Sequence, residues 1–425
     1  MSETHLEQPN IVLIHCHDLG QHLGCYGADV HTPEIDDFAT DGVRFENHFC
    51  TAPQCSPSRA SIMTGQYPHT HGVLGLAHGG WYLTIDGVTL PRILGDLGYE
   101  THHFGFQHVA AHPGHLGYDF THGYEYEDAG WLEASDTVAD FQSALDDTTD
   151  ETPFFTTVGF KEPHDPFDRE YVPQSAKDRY EPADIEVPPG IPDSAENRER
   201  LAKFNALVTG VLDPAVGDIV GTLEEHGILD DTLVVFTTDH GIAFPQAKLT
   251  GYDAGLETAL LVRHPSLPSG TVHEELLSNM DLFPTLVDVA GGDPPQQYVP
   301  RSHVFAEQTW HGDLKPFCAV RTTQYKYIEN CLITQRKDAS ERELYDLPRD
   351  PHEQENLAPA KSPRFRPPVV THSSNSKGES TVDTEYEAVL NTLEGRLHQW
   401  MEATNDPLTE GSVPLPSPDV DRLTR

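Results

Sequence analysis

The sequence predicts an α/β protein: a large, mostly parallel sheet sandwiched by helices, followed by a smaller C-terminal α+β subdomain containing a short antiparallel sheet. Three observations lead there. Short unbroken apolar runs such as NIVLIHC (10–16) read as strands buried on both faces. Over the first two-thirds of the chain, strand-like and helix-like segments alternate, as they do in a parallel sheet covered on both sides. After about residue 300 the texture changes to short strands and turns. A chain of 425 residues suits one large domain with a smaller companion, and the reading divides it into 1–300 and 301–425.

The elements follow in order. After the strand at 10–16, TPEIDDFATDG (32–42) reads as a helix opened by Thr-Pro and ended by Gly. PSRASIMTG (57–65) is a second short helix with Pro near its first position. YETHHFGF (99–106) and PFFTTVGF (153–160) are strand candidates. Residues 196–227 read as a helix with a proline interruption. DTLVVFTTDHG (231–241) is the clearest strand, and TALLVRHP (258–265) follows it. SNMDLFPTLVDVAG (278–291) is a helix capped by Ser or Asn and stopped by Gly. Beyond 300, PFCAVRTTQYKYIEN and RELYDLPRDPHEQENLA predict antiparallel strands and a turn. Residues 361–383, rich in Ser, Pro and charge, predict a flexible loop, and 385–404 an amphipathic helix.

Lys and Arg number 27 against 68 Asp and Glu, a net charge of −41. Such a surface repels nucleic acid and anionic membranes. The acids are spread along the whole length, the pattern of a protein kept hydrated in high salt, so a halophilic source is expected. The N-terminal stretch lacks a basic region followed by a long apolar one, and no apolar run approaches the roughly 18 residues of a membrane span. A cytoplasmic location is the expectation. Six cysteines without dense spacing do not make a disulfide scaffold.

Polar groups cluster where the predicted strands end: His17 and Asp18, His108, His164, then Asp239 and His240, with Lys248 eight residues on. In a doubly wound sheet these ends share one edge, where ligands collect. Carboxylates with imidazoles suggest a metal site. Arg59 and Lys248 suggest an oxyanion beside it, helped by the start of the 57–65 helix. Together with Cys55 they describe a site for sulfate or phosphate esters.

CSPSRASIMTG (55–65) has the pattern C-x-P-S-R-x-x-x-x-T-G and resembles the signature of the sulfatases. HDLGQHLGCYG, GFQH, KEPH, TTDHG and ELYDLPRDPHEQENLA appear in that family's order over nearly the whole chain, with most similarity to its N-sulfoglucosamine sulfohydrolase branch. The resemblance implies that Cys55 is converted after synthesis to formylglycine by a maturation enzyme. One hydroxyl of its hydrate would attack sulfur, and loss of a proton from the other would expel sulfate. It further implies that Asp18, Asp239 and His240, with His17 beside them, hold a divalent cation: Ca2+ first, with Mg2+ or Mn2+ as alternatives. Arg59 would orient the nucleophile, His108 would take the proton when sulfate leaves, and His164 and Lys248 would hold the sulfate and assist the leaving group.

Two positions depart from the family's pattern. His17 stands where the family opens its metal motif with a first Asp, and Phe106 stands where GKxH places a Lys. Imidazole suits a softer cation than calcium, manganese for instance. Of the remaining histidines and cysteines, Cys16 and Cys25 are expected in the core, His69 and His71 either line the pocket or sit in a solvated loop, and His102 and His103 are strand filler. Asp165 and Asp168 read as solvated loop residues, and the RDPHE turn as structural. The function this predicts is a sulfatase acting on a sulfate ester or sulfamate of a small saccharide or metabolite. A phosphonate or phosphate ester hydrolase, and a binder of sulfated ligands without turnover, are the alternatives. Oligomeric state is not readable from the sequence.

Overall fold

The computed structural model describes residues 8–410, apart from 84–86, 124–131, 147–151, 296–297, 311–315, 331–341 and 359–383. The loop expected at 361–383 therefore lies outside the described residues. The strands are β1 (Asn10–Cys16), β2 (Val43–Phe45), β3 (His48–Phe49), β4 (Glu100–Gly105), β5 (Phe120–His122), β6 (Phe154–Gly159) and β7 (Thr232–Thr238). They continue as β8 (Leu260–Arg263), β9 (Thr271–His273), β10 (Leu277–Ser278), β11 (Val304–Gln308), β12 (Phe317–Arg321), β13 (Tyr325–Asn330) and β14 (Arg342–Asp346).

Eight of these form one sheet in the order β5-β4-β6-β1-β7-β8-β2-β9. From β5 to β7 every pairing is parallel, and β8 runs antiparallel to both β7 and β2. β1 lies at the centre, and its alternate residues serve opposite faces as a pleated strand requires. Val12, Ile14 and Cys16 join one apolar layer with Phe38, Phe141, Phe204 and Leu223 from helices Pro33–Asp41, Ala134–Asp146 and the long 195–225 segment. Ile11 and Leu13 join the other, with Ile62, Leu94 and Phe283 from helices Cys55–Thr64, Leu90–Asp96 and Leu282–Val289. With helices on both faces, no strand face of β1, β6 or β7 meets water, which is why these strands read as continuous apolar runs.

One expectation is corrected here. Pro214 does not interrupt the long helix: Ala195–Leu207 passes through a π turn, Val208–Leu212, into Asp213–Glu225. The wider turn accommodates a residue that has no N–H to give. This 31-residue segment is also long and apolar enough by composition to span a membrane. Here it packs on the sheet, and Asp213 accepts hydrogen bonds from the backbone N–H groups of Glu34 (3.3 Å) and Ile35 (2.9 Å), capping the helix across from it.

The strands β11-β12-β13-β14 form the expected antiparallel sheet. Helix Thr384–Thr404 covers one face of it through Leu393, Leu397 and Trp400. Its junction with the rest of the chain combines an apolar cluster of Val304 and Ala306 with Phe49 and Leu256 and a buried ionic group. Lys326 on β13, fully buried, pairs with Asp253 and with Glu353 (2.8 Å) of the RDPHE turn. The turn is structural, as the sequence reading held.

Candidate active site

The site lies at the carboxyl ends of β1 and β7, the central pair of the sheet. β1 stops at Cys16, and the backbone turns sharply enough that Asp18 takes a φ of 51°, unusual for a side chain other than glycine. β7 stops at Thr238, delivering Asp239 and His240 beside it. The Asp18 backbone N–H donates to Asp239 Oδ1 at 2.9 Å, so the two carboxylates are held by the strand ends themselves.

The signature helix begins two residues earlier than predicted, at Cys55, with Gln54 extended before it. Pro57 thus falls in the first turn, where its missing N–H breaks no helical bond. The shift matters for chemistry: it puts Cys55 at the helix N-terminus, facing the strand ends. Its Sγ lies 3.3 Å from His240 Nε2 and 3.9 Å from Asp18 Oδ1. Burial pushes the thiol pKa up to about 12, so the unmodified side chain is a poor nucleophile at neutral pH.

Arg59, one turn along the helix and 2% exposed, is engaged by three acceptors. Nε donates to Asp239 Oδ2 (3.0 Å), one terminal nitrogen to His15 Nδ1 (2.6 Å) and the other to the Cys16 carbonyl (2.9 Å). Lys248 reaches Asp18 from the opposite side, contacting both oxygens at 2.8 and 2.9 Å. Its loop is pinned to the signature segment by a hydrogen bond from Leu249 N to the Pro53 carbonyl. Burial alone would raise both carboxyls. The Lys248 ammonium overrides it at Asp18, and His240, His17 and Arg59 override it at Asp239, so both groups sit well below the usual carboxylate range.

His17 is 1% exposed, and neither of its ring nitrogens has a hydrogen-bond partner, although Nδ1 lies 3.0 Å from Asp239 Oδ2. Donor atoms of His17, Asp18, Cys55 and Asp239 all lie within 4.8 Å of one another. An imidazole left without partners beside two buried carboxylates fits a divalent cation. His240 adds Nε2 at 3.2 Å from Asp18 Oδ1, its ring held by Nδ1 against the Gly241 carbonyl (2.9 Å).

His164 and His108 stand at the rim. His164 Nε2 is 3.8 Å from Asp18 Oδ2. His108, with φ 57°, packs its ring 5.9 Å from that of His17 and stacks on His78, Nε2 to Nδ1 at 3.1 Å. Its own Nδ1 is buried without a partner. Burial, and then the neighbouring His17 and Arg59, hold His108 neutral well below the free imidazole pKa. Phe106 occupies the space beside them, 4.8 Å from the His17 ring, with Arg59 and Lys161 over its two neighbourhoods at 5.7 and 5.3 Å.

Cys55, Arg59, His108, His164, Lys248, Asp18, Asp239 and His240 thus converge, and His17 with them. Three contributors went unassigned: His15, which orients Arg59; Ser58, whose hydroxyl donates to the Asp239 carbonyl; and His78, stacked on His108. The strand alternation that places His15 on the same side as His17 was the available signal. His69 and His71 do not line the site. His69 pairs with buried Glu307 (2.7 Å), and His71 is bound to Ser61 (3.2 Å). Cys16 lies in the core and Cys25 packs half-buried against it. His103 is more than filler, bridging Thr157 and the Gly105 carbonyl. Asp165 and Asp168 face Arg200 and Lys203 on the surface.

A doubly covered, mostly parallel sheet with paired carboxylates at its central strand ends and a cysteine on a facing helix N-terminus defines a protein of the alkaline phosphatase fold. The sulfatase family profile matches residues 9–292. Human N-sulphoglucosamine sulphohydrolase is 32% identical over 305 residues, covering 66% of this chain and 60% of the human protein. Among solved structures, a putative sulfatase from Bacteroides fragilis superposes with a TM-score of 0.77 at 21% identity, covering 97% of this chain and 99% of that one. A protein solved in complex with D-glucosamine-2-N,6-O-disulfate superposes with a TM-score of 0.72 at 19% identity, over 95% of this chain and 99% of the other. The chain belongs to the sulfatase family.

Proposed function

We propose that this protein hydrolyses a sulfate ester or sulfamate on a small sugar, through Cys55 converted to formylglycine and a divalent cation. The observation that carries the reading is the position of Cys55: its Sγ lies against His240 and Asp18 at 3.3 and 3.9 Å, beside the carboxylates that Lys248 and Arg59 engage. Sulfated amino sugar as the substrate class is supported by the names of the human relative and of the disulfate complex.

Formylglycine supplies a geminal diol, a nucleophile that the buried thiol is not. The cation supplies Lewis acidity and a template, and His17, Asp18, Asp239 and His240 would hold it. The rest falls to the chain's own side chains. Arg59, fixed by Asp239, His15 and the Cys16 carbonyl, sets the angle of the helix turn that carries position 55. Lys248 and His164 flank Asp18 from the open side and meet the sulfate there. A neutral His108, with Nδ1 unpartnered, can accept the proton released when sulfate departs. Phe106 excludes water from the flank that a lysine occupies in the family's usual pattern.

The test has two parts. Mass spectrometry of the tryptic peptide 45–59 from the native host should find the aldehyde at Cys55. Sulfate release should be measured from N-sulfo- and O-sulfo-glucosamine against the matched phosphate esters. An unmodified thiol, or preference for phosphate, would overturn the proposal. Maturation by a formylglycine-generating enzyme in the host is part of it.

A further inference from the structure

Calcium in proteins takes six to eight oxygen ligands. This site does not offer that. Within the described residues, the donors that meet at the ends of β1 and β7 are two carboxylates, Asp18 and Asp239, two imidazoles, His17 and His240, and the Cys55 sulfur.

The His240 ring has a fixed polarity. Nδ1 lies 2.9 Å from the Gly241 carbonyl, which can only accept, so Nδ1 carries the hydrogen. In the neutral ring Nε2 then presents a lone pair, and it faces Asp18 Oδ1 at 3.2 Å, Asp239 Oδ1 at 3.6 Å and the Cys55 sulfur at 3.3 Å. Lone pairs aimed at carboxylate oxygens at such distances repel, unless a cation lies among them. A backbone carbonyl that fixes one ring nitrogen and frees the other is the usual support behind a metal-binding histidine. His17 presents a second buried ring, held by no backbone carbonyl, with Nδ1 3.0 Å from Asp239 Oδ2 and 3.8 Å from Asp18 Oδ1. Both carboxylates already carry a cationic neighbour, Lys248 on Asp18 and Arg59 on Asp239, so the oxygen charge left for a hard cation is small.

We infer that this site is a mixed nitrogen–oxygen centre that selects a divalent transition ion, such as manganese, cobalt or zinc, over calcium, with His17 and His240 as nitrogen ligands. The inference rests on the cation-binding part of the proposed function and is independent of the sulfate chemistry.

Manganese is the probe, because its electron spin reports directly bound nitrogen. Full-length protein is stripped with chelator and titrated with MnCl2 and with CaCl2 by calorimetry. The Mn2+-loaded protein is then examined by electron spin echo envelope modulation. Mn2+ should bind at least about tenfold more tightly than Ca2+, and the echo should carry 14N modulation. His17→Asp and His240→Asn, each checked for folding by circular dichroism, should each weaken that modulation and narrow the preference. Equal or tighter Ca2+ binding, or a wild-type Mn2+ echo without 14N modulation, overturns the inference; the second result would mean that the histidines are protonated partners of the carboxylates. The wild-type spectrum decides even if a variant fails to fold. Sulfate release supported by Ca2+ alone would sink this inference and leave the proposed function standing, whereas nitrogen-bound Mn2+ without sulfate release would do the reverse.

Discussion

Replacing Arg59 with lysine keeps the charge and removes the fork. The guanidinium makes three hydrogen bonds to buried acceptors, on Asp239, His15 and Cys16. A lysine ammonium at the same place can satisfy one of them well. Two acceptors then lose a charged donor inside a region with almost no solvent access. Hydrogen bonds to charged groups contribute about 1.5–3 kcal/mol each, so Arg59→Lys should cost about 3–6 kcal/mol. Set against a typical total stability of about 5–15 kcal/mol, that is a large share. Catalysis should suffer as well, because Asp239 and the turn carrying Cys55 are both positioned through this side chain. If about 2.7 kcal/mol of the loss reaches the transition state, kcat/KM falls about 100-fold. The assay pairs urea unfolding with sulfate release at saturating metal. A variant whose urea midpoint matches wild type and whose kcat/KM stays within about twofold of it would refute the argument that Arg59 works through its geometry.

Cys55→Ala should abolish turnover while retaining cooperative unfolding, and residual sulfate release would locate the nucleophile elsewhere. Asp213→Ala removes the cap on helix Pro33–Asp41 and should cost about 1–2 kcal/mol in urea unfolding, with Asp213→Asn costing less because it keeps an acceptor; equal losses would contradict the capping role. The His69–Glu307 pair predicts a pH dependence. Burial would lower His69, but the hydrogen bond and charge of Glu307 raise it, while burial raises Glu307. Both groups therefore bind protons more tightly in the folded state. The His69 contribution is full below the free imidazole value of about 6.5 and is lost as pH climbs through the raised one, with Glu307 changing in the same sense. His69→Gln should accordingly lower the melting temperature more at pH 6 than at pH 9, and a constant difference would rule this out. Finally, kcat/KM for an anionic substrate should rise as ionic strength increases from about 0.01 to 0.15 M, because the Debye length shrinks from roughly 30 to 8 Å and screens the repulsion of a chain at −41; a fall would mean that local steering dominates.

What could be read in advance divides along a physical line. β1 was located to the residue, and β7 to within one residue at its start and three at its end, because a strand buried on both faces leaves an uninterrupted apolar run. The short strands β2, β5 and β9, three residues each, were not found, since a partly exposed strand that short carries no period to detect. Helix Ala134–Asp146 was missed as well, its apolar residues diluted by Ser, Asp and Gln on the solvent side. The ligand-like residues were legible because chemistry demands particular types at strand ends. Their supports were less so: alternation along β1 puts His15 on the side of His17, but residue type alone does not separate His15, which orients Arg59, from His102, which pairs with Glu100. Only the pleat and the partner across the sheet make that distinction. The helix start at Cys55 was displaced for a similar reason, since Pro57 marks a first turn without fixing which of its positions it fills.

The charges around Cys55 constrain how an anion can be held there. Lys248 and Arg59 read from the sequence as cations waiting for sulfate, yet each is committed to a carboxylate, Lys248 to both oxygens of Asp18 and Arg59 to Asp239. Burial keeps His17, His240 and His108 neutral. Two negative and two positive side chains therefore balance, and the polypeptide alone offers sulfate no net attraction inside an envelope of strongly negative charge. A divalent cation held by His17, Asp18, Asp239 and His240 would raise the local charge to about +2. Anion capture would then depend on the metal at the binding stage and not only in the chemical step. On that account metal removal acts on KM as well as on kcat, and the spare affinity that a lysine at position 106 would supply is carried by the metal centre.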